Sequence, residues 1–288
     1  MISLIRNLMI WGIVFTVGSI HAQELQGVAY YKTKRKVEIT LDSTSALSGQ
    51  QKQINEMLKK QFEKEYVLNF NKTASTYKEV ESLGDASTGS GGIRINAITI
   101  GAGGKGDILY RDTKNKTYTH QQESFSKQFL VQDALEERDW KLENETKQIG
   151  NYTCYKATFT REIEVQSFTS FNKNEDDAES DKKVEKRKIV TTAWYTPQIP
   201  VSHGPSTHWG LPGLILEIND GSTIMICNKV VLNPKEKVEI IEPKKGKKVN
   251  GEEFAEIVKK KVEEMNKIYG GGKKGKKNGN TFSIKIGG

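Results

Sequence analysis

The sequence predicts a mainly β (α+β) protein: a curved antiparallel β-sheet, in outline a half-barrel, with one or two covering helices. Three observations carry that expectation. Short alternations of apolar and polar residues recur along most of the chain, with turn-forming residues between them. Only two stretches, 49–65 and 251–269, change to the three- and four-residue apolar spacing of a helix. Amphipathic helices need an apolar surface to cover, and a sheet of successive hairpins presents one.

Along the chain, Val28, Tyr30 and Tyr31 open a first strand that runs to about residue 39. In 49–65, Ile54, Met57, Leu58 and Phe62 share one helix face. Strand character returns over 66–77, where Leu68 and Phe70 alternate with polar neighbours. Residues 83–106 are Gly-rich and read as a solvated insertion, with a short strand around Ile93, Ile95, Ile98 and Ile100. The stretches 107–111 and 117–122 flank the turn-forming 112–116, which makes a hairpin, and 125–131 is a further short strand. Over 151–161 the alternation puts Cys154 on the face opposite Tyr155, Ala157 and Phe159.

The charged 173–188 reads as a second solvated insertion, before a strand at 189–196. Strands at 214–219 and 223–232 are joined by Asn219-Asp220-Gly221-Ser222, a hairpin turn. In the second helix Asn250 is the cap and Glu253 completes a capping box. Phe254, Val258, Val262, Met265 and Tyr269 form its apolar stripe, and Gly270-Gly271-Gly272 ends it.

Residues 1–22 have the order of a cleaved signal peptide: Arg6, an apolar run over 8–20, and a small Ala22 before Gln23. The expected organisation is therefore a signal at 1–22, a single β-rich domain at 23–269 and a Gly/Lys-rich tail at 270–288, mobile and dispensable. The apolar run at 8–20 falls short of the roughly 20 residues that cross a bilayer, and no later segment is apolar enough to do so. The expected location is the periplasm or the exterior.

Hydrophobic residues make up 35% of the chain and the mean hydropathy is −0.60, which agrees with extensive solvated segments. Nearly all of the formal charge of +8 comes from the 15 Lys against 8 Glu after Pro234. A nucleic-acid binder carries its basic stripe on a folded face, so nucleic acid is not an expected partner. The two cysteines, Cys154 and Cys227, are no disulfide scaffold. In a simple meander their strands lie three spacings apart, about 14 Å, beyond the reach of a disulfide, so both should be free and buried.

No catalytic constellation stands out. The run GAGGKG at 101–106 has dinucleotide-loop spacing, but a strand follows it instead of the required helix, and no cofactor is expected. His203 and His208 flank Gly204-Pro205-Ser206-Thr207. Two imidazoles fall short of the three protein ligands of a catalytic zinc, so no metal is expected. Ser206 has no G-x-S-x-G elbow around it.

The most informative stretch is 193–218, AWYTPQIPVSHGPSTHWGLPGLILEI. Pro197 and Pro200 end ladder pairing and stiffen the chain. Gly210, Pro212 and Gly213 read as a structural turn. Leu211-Pro212-Gly213-Leu214 fits type II, which asks for positive φ at Gly213. Leu214, Leu216 and Ile218 are then expected on one strand face. Trp194, Tyr195, His203, Pro205, His208 and Trp209 are the candidate ligand or partner residues, since rigid loops between core strands are where binding concentrates.

The letters GLPGLI at 210–215, with 140–142, KQIGNYTCYKA at 147–157, 193–200 and Gly204-Pro205, resemble the GLPGLI family of exported Bacteroidetes proteins. The likeness extends to the capped C-terminal helix with Glu252-Glu253-Phe254. It implies no assigned activity and no catalytic residues. The outline is also similar to periplasmic lipoprotein carriers, a likeness of fold alone. The leading expectation is a non-enzymatic envelope protein that binds lipid or another apolar ligand, or an outer-membrane partner. The alternatives are a hydrolase or processing factor using the 203–209 loop, or a structural adaptor to outer-membrane machinery.

Overall fold

The computed structural model describes residues 25–35, 37–41, 63–80, 106–166, 184–270 and 282–286. The strands of the first half of the chain are β1 (Gln26–Arg35), β2 (Val37–Leu41), β3 (Lys64–Asn71), β4 (Ala74–Glu79), β5 (Ile108–Asp112), β6 (Thr117–Ser124) and β7 (Lys127–Ala134). Then come β8 (Lys141–Ile149), β9 (Tyr152–Gln166), β10 (Val184–Thr196), β11 (Leu214–Asn219), β12 (Thr223–Leu232), β13 (Lys247–Val249), α1 (Gly251–Gly270) and β14 (Phe282–Ile286). Twelve strands make one open sheet in the order β13-β7-β6-β5-β4-β3-β1-β12-β11-β10-β9-β8. Its pairings are antiparallel except β13 with β7. Two meanders, β3 to β7 and β8 to β12, are thus stitched together by β1, which pairs with β3 on one side and β12 on the other.

Register shifts lie at Tyr30/Tyr31, Leu142/Thr146 and Trp194/Tyr195. Each irregularity adds local twist, which bends the sheet. The third one also corrects the expected face of Ile218. Tyr195 pairs with Ile215 but Trp194 with Glu217, so Leu216 is an extra residue on β11. Beyond it the alternation flips. Leu214 and Leu216 enter the main cluster, with Ala29, Tyr31, Leu68, Phe70 and Cys154. Ile215 and Ile218 join Ala157, Ala193, Tyr195 and Leu211 in a second.

Local chemistry fixes the turns. Asp112 Oδ1 accepts from the N–H groups of Lys114 and Asn115 at 2.9 and 2.8 Å, which closes the tip of the β5–β6 hairpin. Asp220 Oδ1 does the same for Ser222 and Thr223. Phe125, expected at a strand start, is instead a turn residue with Ser126, at φ values of 50° and 59°. The cap of α1 is the expected one: Glu253 N–H donates to Asn250 Oδ1 at 2.8 Å, and Asn250 N–H to Glu253 Oε2 at 3.0 Å. Phe254 and Ile257 of α1 pack on Phe129, Val131 and Val249, so the start of the helix covers the β7–β13 edge.

Other boundaries move. Residues 64 and 65, expected at the end of a helix, belong instead to β3, which starts at Lys64. The solvated insertion ends sooner than expected, because β10 starts at Val184 and pairs with β9 along 12 positions through Tyr195. The tail contains β14, paired with β2 over Val37–Leu41, through the alternation Phe282-Ser283-Ile284-Lys285-Ile286. Residues 1–22, most of 49–65, 83–105 and 173–183 lie outside the described residues. Cys154 and Cys227 are both free and buried. Burial pushes their thiols up to about 11 and about 12, so they act as small apolar groups.

Candidate functional site

The main apolar cluster is filled by chain rather than by helix. After β10 the crossover 197–213 turns inward, and Ile199, Val201, His203, Leu211 and Trp209 are all buried. It lies alongside the start of β11: Leu214 N–H donates to Ile199 O at 3.0 Å and Ile215 N–H to His203 O at 3.0 Å. Tyr31 on β1 donates its hydroxyl to Ile215 O at 2.7 Å, which ties the crossover's exit to the sheet. Trp140 Nε1–H donates to Trp209 O at 2.8 Å.

The turn at 211–214 differs from the type II expectation. Gly213 N–H donates to Leu211 O at 2.8 Å, a three-residue γ-turn centred on Pro212. Gly213 is not among the positive-φ residues; Gly210 is, at 97°. Glycine at 213 answers to a close approach. A Cβ there would lie 2.3 Å from Thr196 O and 2.6 Å from Thr196 C.

The six candidate residues are placed as follows. Tyr195 packs in the second cluster. Trp194 is half-buried, with Lys147 Nζ 4.4 Å above its ring, and the same ammonium pairs with Glu217 at 2.7 Å. His203, Pro205, His208 and Trp209 are buried, Gly210 and Pro212 exposed, and Gly213 buried. The loop expected to display side chains therefore hides most of them.

His203 Nε2 stands 3.1 Å from Asn71 O and His208 Nδ1 3.2 Å from Pro205 O. A carbonyl only accepts, so each of those nitrogens carries the hydrogen. Burial, and then Arg111, pulls His203 down to about 3. Burial, and then Arg138, does the same to His208. Both imidazoles are neutral near pH 7, and each is committed to a different backbone carbonyl. Among the described residues no group of three metal-ligating side chains converges.

Beside the crossover, between β5–β6, the 133–138 segment, β9 and the N-terminus of α1, lies a cavity of about 740 Å³. Leu109, Tyr118, Leu135, Phe159 and Trp209 give it apolar walls; Arg111, Arg138, Arg161 and Thr207 line it too, as do the carboxylates of Asp133, Glu136, Glu137 and Glu252. Arg111 is 1% exposed. It donates from one Nη to Ser206 O, and its Nε and other Nη have no partner among the described residues. Among the described residues it forms no ion pair, and neither do Arg138 and Arg161. Burial and the nearby Arg138 lower Arg111 to about 10, which still leaves it charged. The phenols of Tyr31 and Tyr77 are near it, but burial raises both well above the usual 10, so neither offsets the charge.

Arg138 is held by the crossover. It donates to Thr207 Oγ1 at 3.0 Å and lies 5.6 Å from the Phe159 ring centre. Burial and Arg161 lower it to about 10. His120 also lines the cavity; its Nε2 is 4.0 Å from Asp107 Oδ2, but burial holds it near 4, so the contact is not an ion pair at neutral pH.

Reading the sequence missed these arginines. The available signal was the alternation of Leu109 and Arg111 on β5, both buried, which sets a cation on an apolar face.

A family model described as "Protein of unknown function (Porph_ging)" matches residues 140–217, from Trp140 through the crossover into β11. No curated protein matches the chain. Two solved structures, described as "Structure of PNGF-II in C2 space group" and "Structure of PNGF-II in P21 space group", are each 11% identical over 82% of this chain, with a TM-score of 0.45. The chain spans about a third of their length, 33% and 34%.

Proposed function

We propose that this is an exported, non-enzymatic binding protein of the bacterial envelope, related to the GLPGLI family, and that it holds an amphiphilic ligand in the cavity beside the crossover. The observation that carries the reading is that cavity of about 740 Å³, of a size suited to a small ligand, where the apolar side chains of Leu109, Phe159 and Trp209 stand beside many charged ones, a lining of mixed character that suits an amphiphile. The main cluster itself is packed by Ile199, Val201 and Leu214, so the ligand's place is beside the crossover and not beneath it. The hydrolase alternative is the weaker one: imidazoles held near 3 and bonded to carbonyls make poor general bases at neutral pH. Export rests on the order of charge, apolar run and small residue in 1–22.

Native mass spectrometry of the protein purified from its own periplasm tests the reading. The expected result is a chain beginning at Gln23 that carries a small amphiphile. A chain retaining 1–22 contradicts export. A chain that arrives empty and takes up no alkyl compound contradicts binding.

A further inference from the structure

We infer that the arginine side of this cavity, with Arg111 buried in its wall and Arg138, Arg161 and the Thr207 hydroxyl nearer its mouth, is an anion subsite that takes the carboxylate or phosphate head of an amphiphile. The inference rests on the binding reading above and adds the chemical class of the ligand.

Three guanidinium groups line one cavity, and none is paired with a carboxylate among the described residues. They crowd one another: Arg138 lowers Arg111, and Arg161 lowers Arg138. Chains avoid burying an unpaired charge, because desolvation is repaid only by a partner of opposite sign. Arg111 is such a charge, withdrawn from water with two of its nitrogens unpartnered among the described residues. A bound anion supplies the missing partner. Arg111 need not touch that anion with every nitrogen, since its field is weakly screened in a low-dielectric wall.

The carboxylates around the cavity do not fill that role. Glu137 is taken by Lys116. Asp133 accepts from the backbone N–H groups of Ala134 and Gly251 at 2.8 and 3.1 Å. Glu136 and Glu252 are exposed at the mouth; Glu136 offsets part of the charge of Arg138 and leaves Arg111 unmatched. His120 is neutral and adds no charge. The apolar remainder of the ligand lies against Leu109, Phe159 and Trp209. Planar guanidinium forks suit carboxylate and phosphate oxygens alike, so the head is defined by charge and geometry.

The test is calorimetric titration of the full exported chain with dodecanoate, dodecyl phosphate and uncharged dodecanol. The two anions are expected to bind at least about ten-fold more tightly than the alcohol, with the gap narrowing as salt rises. Arg111→Gln, Arg138→Gln and Arg161→Gln should each shrink that gap, weakening the two anions more than dodecanol. Should Arg111→Gln fail to fold, the two variants nearer the mouth carry the test. Inorganic phosphate that displaces dodecyl phosphate supports the subsite with a free anion as a sufficient occupant. Failure to displace, with charge selectivity intact, supports the amphiphile as the source. Equal affinity for alcohol and acid overturns the anion subsite and leaves the binding reading standing. No binding of any of the three overturns both.

Discussion

The crossover 197–213 and the cavity it borders both bury polar side chains, and they differ in what is left unmet: a nitrogen of the neutral His203 in the one, the charged Arg111 in the other. In the crossover, His203, His208, Gly210 and Gly213 each close a hydrogen bond within the chain. In the cavity, Arg111 keeps a full charge with two nitrogens unpartnered among the described residues. A region whose buried groups are neutral and mostly bonded to the backbone specifies a shape. A region that leaves a buried charge open retains the capacity to bind. On the binding reading proposed above, the segment with the most recognisable sequence is structural, and ligand binding belongs to a region with no motif.

Acid should affect the crossover most. Folding holds His203 and His208 at about 3 and His120 at about 4, whereas an unfolded imidazole sits near 6.5. The unfolded chain therefore takes up protons first as pH falls. Stability is full above about pH 6.5 and drops toward pH 4, by up to roughly 1.4 kcal/mol per pH unit for each histidine. Urea unfolding at pH 7 and pH 5 should show this, and His203→Gln should flatten the slope by one proton's worth. Equal stability at the two pH values would mean that the imidazoles are open to solvent, which breaks the contrast.

Next in size is Gly213→Val. The added Cβ would lie 2.3 Å from Thr196 O, where neither backbone can yield, so a loss of about 3 kcal/mol or more is expected. Circular dichroism and melting check it, and a folded variant that has lost its ligand would move the site into the crossover. Trp140→Phe removes the 2.8 Å bond to Trp209 O and should cost about 1 kcal/mol in urea unfolding. Pro212→Ala should cost less, roughly 0.5 kcal/mol, through greater freedom of the unfolded chain.

Much of the strand order was legible because it depends on neighbours in sequence. The hairpin Leu214–Asn219 and Thr223–Leu232 and the Asn250/Glu253 cap follow from alternation and turn chemistry, which are local. What was not legible depends on distant approach. Leu-Pro-Gly-Leu suits a type II turn and a γ-turn equally well; Thr196 O, close against Gly213, removes room for any side chain there. The extra residue on β11 is visible only against β10, so the flip of Ile218 could not be read from 214–219 alone. The crossover looked exposed because Pro and Gly mark loops. Its Ile199, Val201 and Leu211 fill space that the helix at the β7–β13 edge does not reach. Arg111 was passed over because one cation in a strand is ordinarily solvated, and only the curled sheet buries it.

The most direct test of the account is the unfolding free energy of Arg111→Met, measured in urea at neutral pH against the unaltered chain. A charge kept for a ligand is a burden on the empty fold, and an apolar side chain of similar length relieves it. The lost donor to Ser206 O is worth only about 1 kcal/mol. The account therefore predicts that Arg111→Met is as stable as the unaltered chain within about 1 kcal/mol, or more stable. A loss of about 3 kcal/mol or more would show that the guanidinium holds the fold together, and would contradict its assignment to the ligand.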